Sequence, residues 1–179
     1  MNLFGLALLL AIHDVNGVDR QPLRVDAGKV SALFFISDEC PISNAFGREI
    51  ARICADYESK GVGCNLVYVD PAVSDDQARK HAREYGHGDY PRIVDRRHEL
   101  VKATGVTVTP EAAIVNREGK VVYRGRIDDS FVALGQPRRP VKNADLRNAL
   151  DAVVTGKPVE KPETKAVGCY ISDFEPNQQ

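Results

Sequence analysis

Residues 30–36, VSALFFI, are apolar except for Ser31. A strand with one wet face would alternate apolar and polar side chains. A continuous run of this length fits a strand buried on both faces, in a sheet covered by helices on either side. A short polar loop carrying Cys40 and Pro41 follows at once. Beyond it Phe46, Ile50, Ile53, Cys54 and Tyr57 recur at helical spacing and mark one buried helix face. Gly61 and Gly63 close that helix, and residues 65–70 read as the next central strand. Strand, helix, strand in this order implies a parallel pair with a crossover helix between them.

The remaining segments extend the pattern. Residues 12–23 contain Asn16-Gly17, a strong short turn signal, between alternating apolar residues and read as a hairpin. Residues 74–85 read as a second helix, with Ser74 and Gln77 at capping-box spacing and Ala78, Ala82 and Tyr85 facing inward. A short strand at Ile93-Val94 and a short helix over 98–103, stopped near Gly105, come next. Residues 112–116 and 121–123 form two strands joined at Arg117-Glu118-Gly119. Asn143 is expected to cap a last helix with Leu146, Ala149, Leu150 and Val153 inside, ending at Gly156. From Lys157 onward, prolines and alternating charges predict an extended tail rather than packed structure. The chain therefore divides into an apolar segment (1–11), one domain (12–156) and a tail (157–179) that carries Cys169.

Composition excludes several classes. Lys plus Arg number 24 against 25 Asp plus Glu, so there is no basic footprint and nucleic acid is not a partner. Arg138-Arg139 reads as a solvated spot. The apolar run at Leu3, Phe4, Leu6 and Leu8 is too short to span a bilayer stably. It has the length of an export signal's apolar region, without a preceding Lys or Arg or a small-x-small cleavage site. A buried N-terminal element and an export signal both remain open. No glycine-rich phosphate loop calls for an organic cofactor. The four cysteines, Cys40, Cys54, Cys64 and Cys169, allow three pairings and contain no Cys-x-x-Cys, which excludes a zinc ribbon. An extracytoplasmic location, periplasmic or exported, is favoured over a cytoplasmic one.

Cys40 carries the chemistry. Lying between a buried strand and an amphipathic helix, its sulfur falls at a helix N-terminus, where unpaired N–H groups and the helix dipole favour negative charge. Lowering a thiol pKa from roughly 8.5 to roughly 7 raises the thiolate fraction at neutral pH from a few per cent to about half. The polar neighbours Ser37, Asp38, Glu39, Ser43 and Asn44 argue against burial of Cys40 as a mere core residue.

The segments DECPISNAFGREI, VYVDP, GVTVTPEAAIV and YRGRIDD, with TKAVGCYI in the tail, resemble the thioredoxin superfamily. More narrowly they are similar to the bacterial redoxin-domain branch related to the alkyl hydroperoxide reductase and thiol-specific antioxidant proteins. The resemblance implies an α/β thioredoxin-like fold: a mixed central sheet flanked by helices, with an N-terminal β-hairpin and an extended C-terminal tail. It implies a cis peptide bond at Thr109-Pro110, beside the reactive cysteine, with Pro41, Thr109 and Pro110 shaping a groove for a thiol or disulfide partner. Two departures matter. Ser43 stands where a dithiol thioredoxin has its second cysteine, so no disulfide closes within Cys-x-x-Ser; Ser43 can instead donate a hydrogen bond to the Cys40 thiolate or cap the helix. Of the peroxiredoxin pattern Pro-x-x-x-Thr-x-x-Cys, Ser37 keeps a hydroxyl but Leu33 replaces the proline. Cys169 is the natural resolving thiol. It lies fourteen residues beyond Thr155, and an extended tail of that length reaches roughly 46 Å, enough to cross a domain about 40 Å wide.

Cys54 and Cys64 read as core residues, with a structural disulfide between them as the alternative. His81 lies near the inner stripe of its helix, and His13 and His87 are expected to be exposed. A metal site from Asp95, His98 and Cys40 is conceivable, but the copper-delivering relatives need a second cysteine where this chain has Asn44, so no metal is assigned. Arg124, Arg126, Asp128 and Asp129 read as surface ion pairs, with Arg126 alternatively near the thiolate. Three functions are carried forward. The first is a thiol–disulfide oxidoreductase acting on protein or small-molecule thiols and disulfides. The second is a peroxiredoxin-like thiol peroxidase, in which Cys40 forms a sulfenic acid. The third is a non-enzymatic metal- or protein-binding module.

Overall fold

A computed structural model describes residues 12–24 and 29–172. The apolar segment 1–11, expected as a buried element or an export signal, and the last seven residues lie outside the described residues. The elements are β1 (Ile12–His13), β2 (Asp19–Arg20), β3 (Val30–Ile36), α1 (Pro41–Glu58), β4 (Val62–Tyr68), α2 (Asp75–Glu84), β5 (Arg92–Val94) and α3 (Glu99–Thr104). They continue with β6 (Val108–Thr109), β7 (Glu111–Val115), β8 (Val121–Gly125), β9 (Phe131–Ala133), β10 (Gln136–Pro137), α4 (Asp145–Val154) and β11 (Cys169–Tyr170).

The central sheet runs β5-β4-β3-β7-β8. β3 lies in its middle, parallel to β4 and antiparallel to β7, so Phe34 stands opposite Leu66 on one side and Ala112 on the other. All seven residues of β3 are buried. Ala32, Phe34 and Ile36 pack on one face with Ile50 and Ile53 of α1 and Leu146 and Leu150 of α4. Leu33 and Phe35 pack on the other face with Leu100 of α3 and Val106. The two-residue side-chain period of a strand sends alternate residues to opposite faces, and with helices covering both there is no wet side. This is the mixed α/β sheet that the continuous apolar run implies. β1 and β2 form the expected N-terminal hairpin, and Ser74 and Gln77 form the expected capping box on α2.

Four expectations are corrected. Asn143 does not cap α4; Ala144 holds that position. The Asn143 side chain and backbone N–H instead donate to the buried carboxylate of Asp129, at 2.8 and 3.1 Å. Asp129 also accepts from Lys142 N (2.8 Å) and Arg138 Nη1 (2.7 Å), so Arg138 is not merely solvated. Burial opposes charge on Asp129, but these donors outweigh it and hold the carboxyl well below the usual carboxylate range. Second, the Arg124–Asp129 cluster is not a purely surface array: Arg126 Nε pairs with buried Asp145 at 2.7 Å, and Arg124 with Glu163.

Third, the tail is extended but docked. Arg124 N donates to Pro162 O (2.9 Å) and Thr164 N to Arg124 O (3.1 Å). Gly125 permits this approach, since a Cβ there would lie 2.4 Å from Thr164 O. The tail then pairs as β11 with β6. Proline-rich composition reports the lack of an apolar face but says nothing about open sheet edges, which offer backbone partners to any extended segment. Fourth, Cys54 on α1 and Cys64 on β4 are joined by a disulfide, with Cα atoms 5.9 Å apart. α1 turns directly into β4, so the two residues meet across the connection.

Closing a loop of ten residues stabilises the folded state by about 3 kcal/mol in the chain-entropy account. The double variant Cys54→Ala/Cys64→Ala is expected to lose about 2–3 kcal/mol in urea unfolding. Peptide mapping without reduction should show the 54–64 link in the unaltered protein.

Candidate active site

Pro41 is the first residue of α1, where a missing N–H costs nothing and the fixed φ suits the helix. Cys40 takes the N-cap position in an extended conformation, with φ −86° and ψ 112°, and has no side-chain capping bond of the usual kind. Its sulfur therefore meets the first-turn donors. The Ser43 N–H and hydroxyl, both in that turn, favour the charged form of the sulfur. Ser43 Oγ accepts from Ser37 N at 3.4 Å, which leaves the hydroxyl proton for the sulfur.

The β6–β7 junction lies beside this thiol. The Thr109-Pro110 peptide bond is cis, as the resemblance implies, and both residues are buried. Thr109 O accepts from the protonated Cys40 Sγ at 3.1 Å. Glu111 holds the junction from behind, its carboxylate accepting from Thr107 N (2.8 Å) and Val108 N (3.3 Å). Burial pushes the Glu111 carboxyl up.

Cys169 completes the group. In β11 it stands opposite Thr109, and its thiol is within hydrogen-bond reach of Cys40. Cys54 and Cys64 are joined to each other, and Cys40 and Cys169 are both free thiols. Burial tends to raise the Cys40 pKa. The S–H of Cys169, the two donors of Ser43 and the Cys169 N–H outweigh it and lower the thiol from an ordinary 9.0 to about 7. Cys169 moves the opposite way, to about 11, through burial and then through its bond to Cys40 and the charge on it. Of two adjacent thiols, one is an anion near neutral pH and the other keeps its proton.

Cys40, Ser43, Thr109, Pro110 and Cys169 thus converge, while Pro41 sits exposed at the helix start. The expectation that polar neighbours keep Cys40 open is corrected: it is 1% exposed. The tail contributes to this burial, with Cys169 packed against the core cluster that contains Cys40. An adjoining cavity of about 490 Å3 reaches both thiols and is lined also by Glu39, Asp70, His98 and Tyr170. A larger one, about 770 Å3, lies by Arg20, Lys29, Asn65 and Glu118, and no cysteine lines it.

The other polar residues are engaged elsewhere. Asp95 accepts from Glu99 N and Val101 N at the start of α3, at 2.8 and 2.9 Å. His98 Nε2 bonds Val69 O at 2.7 Å. Asn44 Nδ2 donates to Asp38 O at 3.1 Å, and Asn44 Oδ1 lies 2.8 Å from His81 Nε2, fixing the loop before Cys40 to α2. His87, expected to be exposed, is fully buried against His81, and burial lowers its pKa to about 4. Its position after α2 folds it under α1, which single-residue polarity does not reveal. Three contributors escaped the sequence reading: Asn44 and Glu111, as positioning residues, and Gly168. A carboxylate directly after Pro110 in an otherwise apolar strand was the available signal for Glu111.

A family model described as thioredoxin-like matches residues 28–121. Among solved structures, an uncharacterized conserved protein from Geobacillus kaustophilus is 30% identical with a TM-score of 0.78, over 93% of this chain and 89% of that one. A hypothetical protein from Sinorhizobium meliloti is 27% identical with a TM-score of 0.74, over 89% and 88% of the two chains. A secreted disulfide oxidoreductase from Mycobacterium tuberculosis shares the fold at 15% identity and a TM-score of 0.51, over 62% of this chain and 78% of that one. No curated protein matches.

The rate of Cys40 alkylation should rise with pH around a midpoint of about 7. Because the Cys169 S–H is the strongest of the groups that lower this pKa, Cys169→Ala is expected to move the midpoint upward toward 9, and Ser43→Ala to move it in the same direction. A stopped-flow profile with iodoacetamide reads both.

Proposed function

The chain belongs to the thioredoxin-like family, and from that premise we propose that it is a thiol–disulfide oxidoreductase with Cys40 as attacking thiol and Cys169 as resolving thiol. The observation that carries this reading is the meeting of two free thiols at Thr109, Cys40 at the α1 N-cap with Sγ 3.1 Å from Thr109 O and Cys169 opposite Thr109 in β11, with the first tuned down to about 7 and the second up to about 11.

The roles follow from the charges. The Cys40 thiolate attacks a disulfide, forms a mixed disulfide and releases one thiol. Ser43 and the first turn of α1 stabilise the anion, and Thr109 and Pro110 shape the wall of the groove. Cys169 cannot compete at this stage, since its proton is held by the negative charge beside it. Mixed-disulfide formation removes that charge, one cause of the raised Cys169 pKa. Cys169 then loses its proton more readily and attacks the Cys40 sulfur. The products are a Cys40–Cys169 disulfide and a second thiol. An external dithiol returns both cysteines to the reduced form. Cys54–Cys64 takes no part, lying in the α1–β4 core cluster.

The two rival functions draw less support. Leu33, at the position of the missing proline, is buried in mid-β3 and cannot shape a peroxide loop. Asn44, at the position of the second metal-binding cysteine, is committed to Asp38 and His81. An extracytoplasmic location is part of the proposal, supported by the Cys54–Cys64 disulfide, which an oxidising compartment preserves. Among the described residues no helix is long and apolar enough to cross a membrane.

Non-reduced peptide mapping after treatment with a small disulfide should recover a Cys40–Cys169 link. Cys40→Ser should abolish disulfide reduction. Cys169→Ser should stop the reaction at a mixed disulfide on Cys40, visible as an added mass. Turnover by Cys40→Ser at the unaltered rate would overturn the assignment.

A further inference from the structure

β6 has one strand neighbour among the described residues, and it is the chain's own tail. Cys169 pairs with Thr109, Tyr170 with Val108, and Ile171 N donates to Thr107 O at 3.0 Å. Gly168 is pressed so closely onto this loop that a Cβ there would lie 1.9 Å from Thr109 O. The edge on which an incoming polypeptide would add a strand beside Cys40 is therefore taken.

What stays open is the cavity of about 490 Å3. That volume suits a small molecule rather than a peptide chain. Among the described residues its lining carries two carboxylates, Glu39 and Asp70, and no Lys or Arg. Of the other titratable side chains besides the two thiols, His98 bonds Val69 O through Nε2 and Tyr170 is an exposed phenol that carries no positive charge. The approach to the thiolate is thus acidic.

We propose that, with the tail docked, Cys40 acts on low-molecular-weight disulfides that are neutral or cationic, and selects against polypeptide disulfides and small dianionic ones. This rests on the oxidoreductase reading above and narrows its substrate class. The step is balanced. Cys40 S⁻ and RSSR give Cys40–S–S–R and RS⁻, which takes up a proton. Cys169 then loses its proton and displaces the second RS⁻, so RSSR gains two electrons as two RSH while the cysteine pair is oxidised to a disulfide.

The test uses the reduced full-length protein and three disulfides of similar size: cystamine, bis(2-hydroxyethyl) disulfide and 3,3′-dithiodipropionate. Insulin serves as the polypeptide probe. Each rate is divided by that of 2-mercaptoethanol thiolate with the same disulfide, which removes intrinsic reactivity. The normalised rates are expected to fall from the dication to the dianion by about threefold or more at low salt. They should converge at high salt and in Glu39→Gln/Asp70→Asn. Insulin should react about tenfold or more slowly than the neutral disulfide, as for a site whose open form is a minor population. Gly168→Ala, which forces the tail away from Thr109, should narrow that gap. A flat order across charge, or insulin reacting as fast as the neutral disulfide, overturns the substrate class and leaves the oxidoreductase reading intact. Absence of any reaction between Cys40 and the neutral disulfide overturns both.

Discussion

The position of β3, buried on both faces between β4 and β7, governs the rest of the molecule. A strand in that position ends at a fixed place in the sheet, and the chain leaving it must cross over to cover one face. α1 does so, and its first turn lies where β3 stops. Cys40 is the residue at that junction. The thiol inherits the unpaired donors of a helix start without any dedicated binding loop.

A second constraint comes from backbone pairing rather than packing. β6 is only two residues long and makes no ladder with the central sheet. The tail supplies its partner, and in doing so it brings Cys169 to Cys40. Gly125 and Gly168 make the docking sterically feasible at two points, by leaving out a side chain where backbone meets backbone. The tail thus brings its thiol to Cys40 and occupies the free edge of β6.

The electrostatics of the pair follow from that contact. Burial alone would raise both thiols. The contact breaks the symmetry because Cys40 has the Ser43 donors and Cys169 does not. The proton therefore stays on Cys169 and the charge on Cys40. The Cys54–Cys64 disulfide is separated from these two free thiols by location, linking α1 to β4.

Much was legible in the sequence because it depends on neighbours along the chain. The apolar run at 30–36, the helical stripe through Tyr57, the Ser74 capping box and the placement of Cys40 at a helix start are all local signals, written in side-chain periodicity and capping chemistry. The family resemblance added Thr109-Pro110 and directed attention to Cys169. Contacts between residues distant in sequence were decided only by the tertiary structure. These include the docking of the tail on β6, the burial of Cys40 and His87, the junction held by Glu111, and the choice of Cys54–Cys64 among three pairings. The physical reason is that local periodicity records which face of an element is apolar, whereas an open sheet edge, a missing Cβ or a shared proton acts only when two remote segments meet.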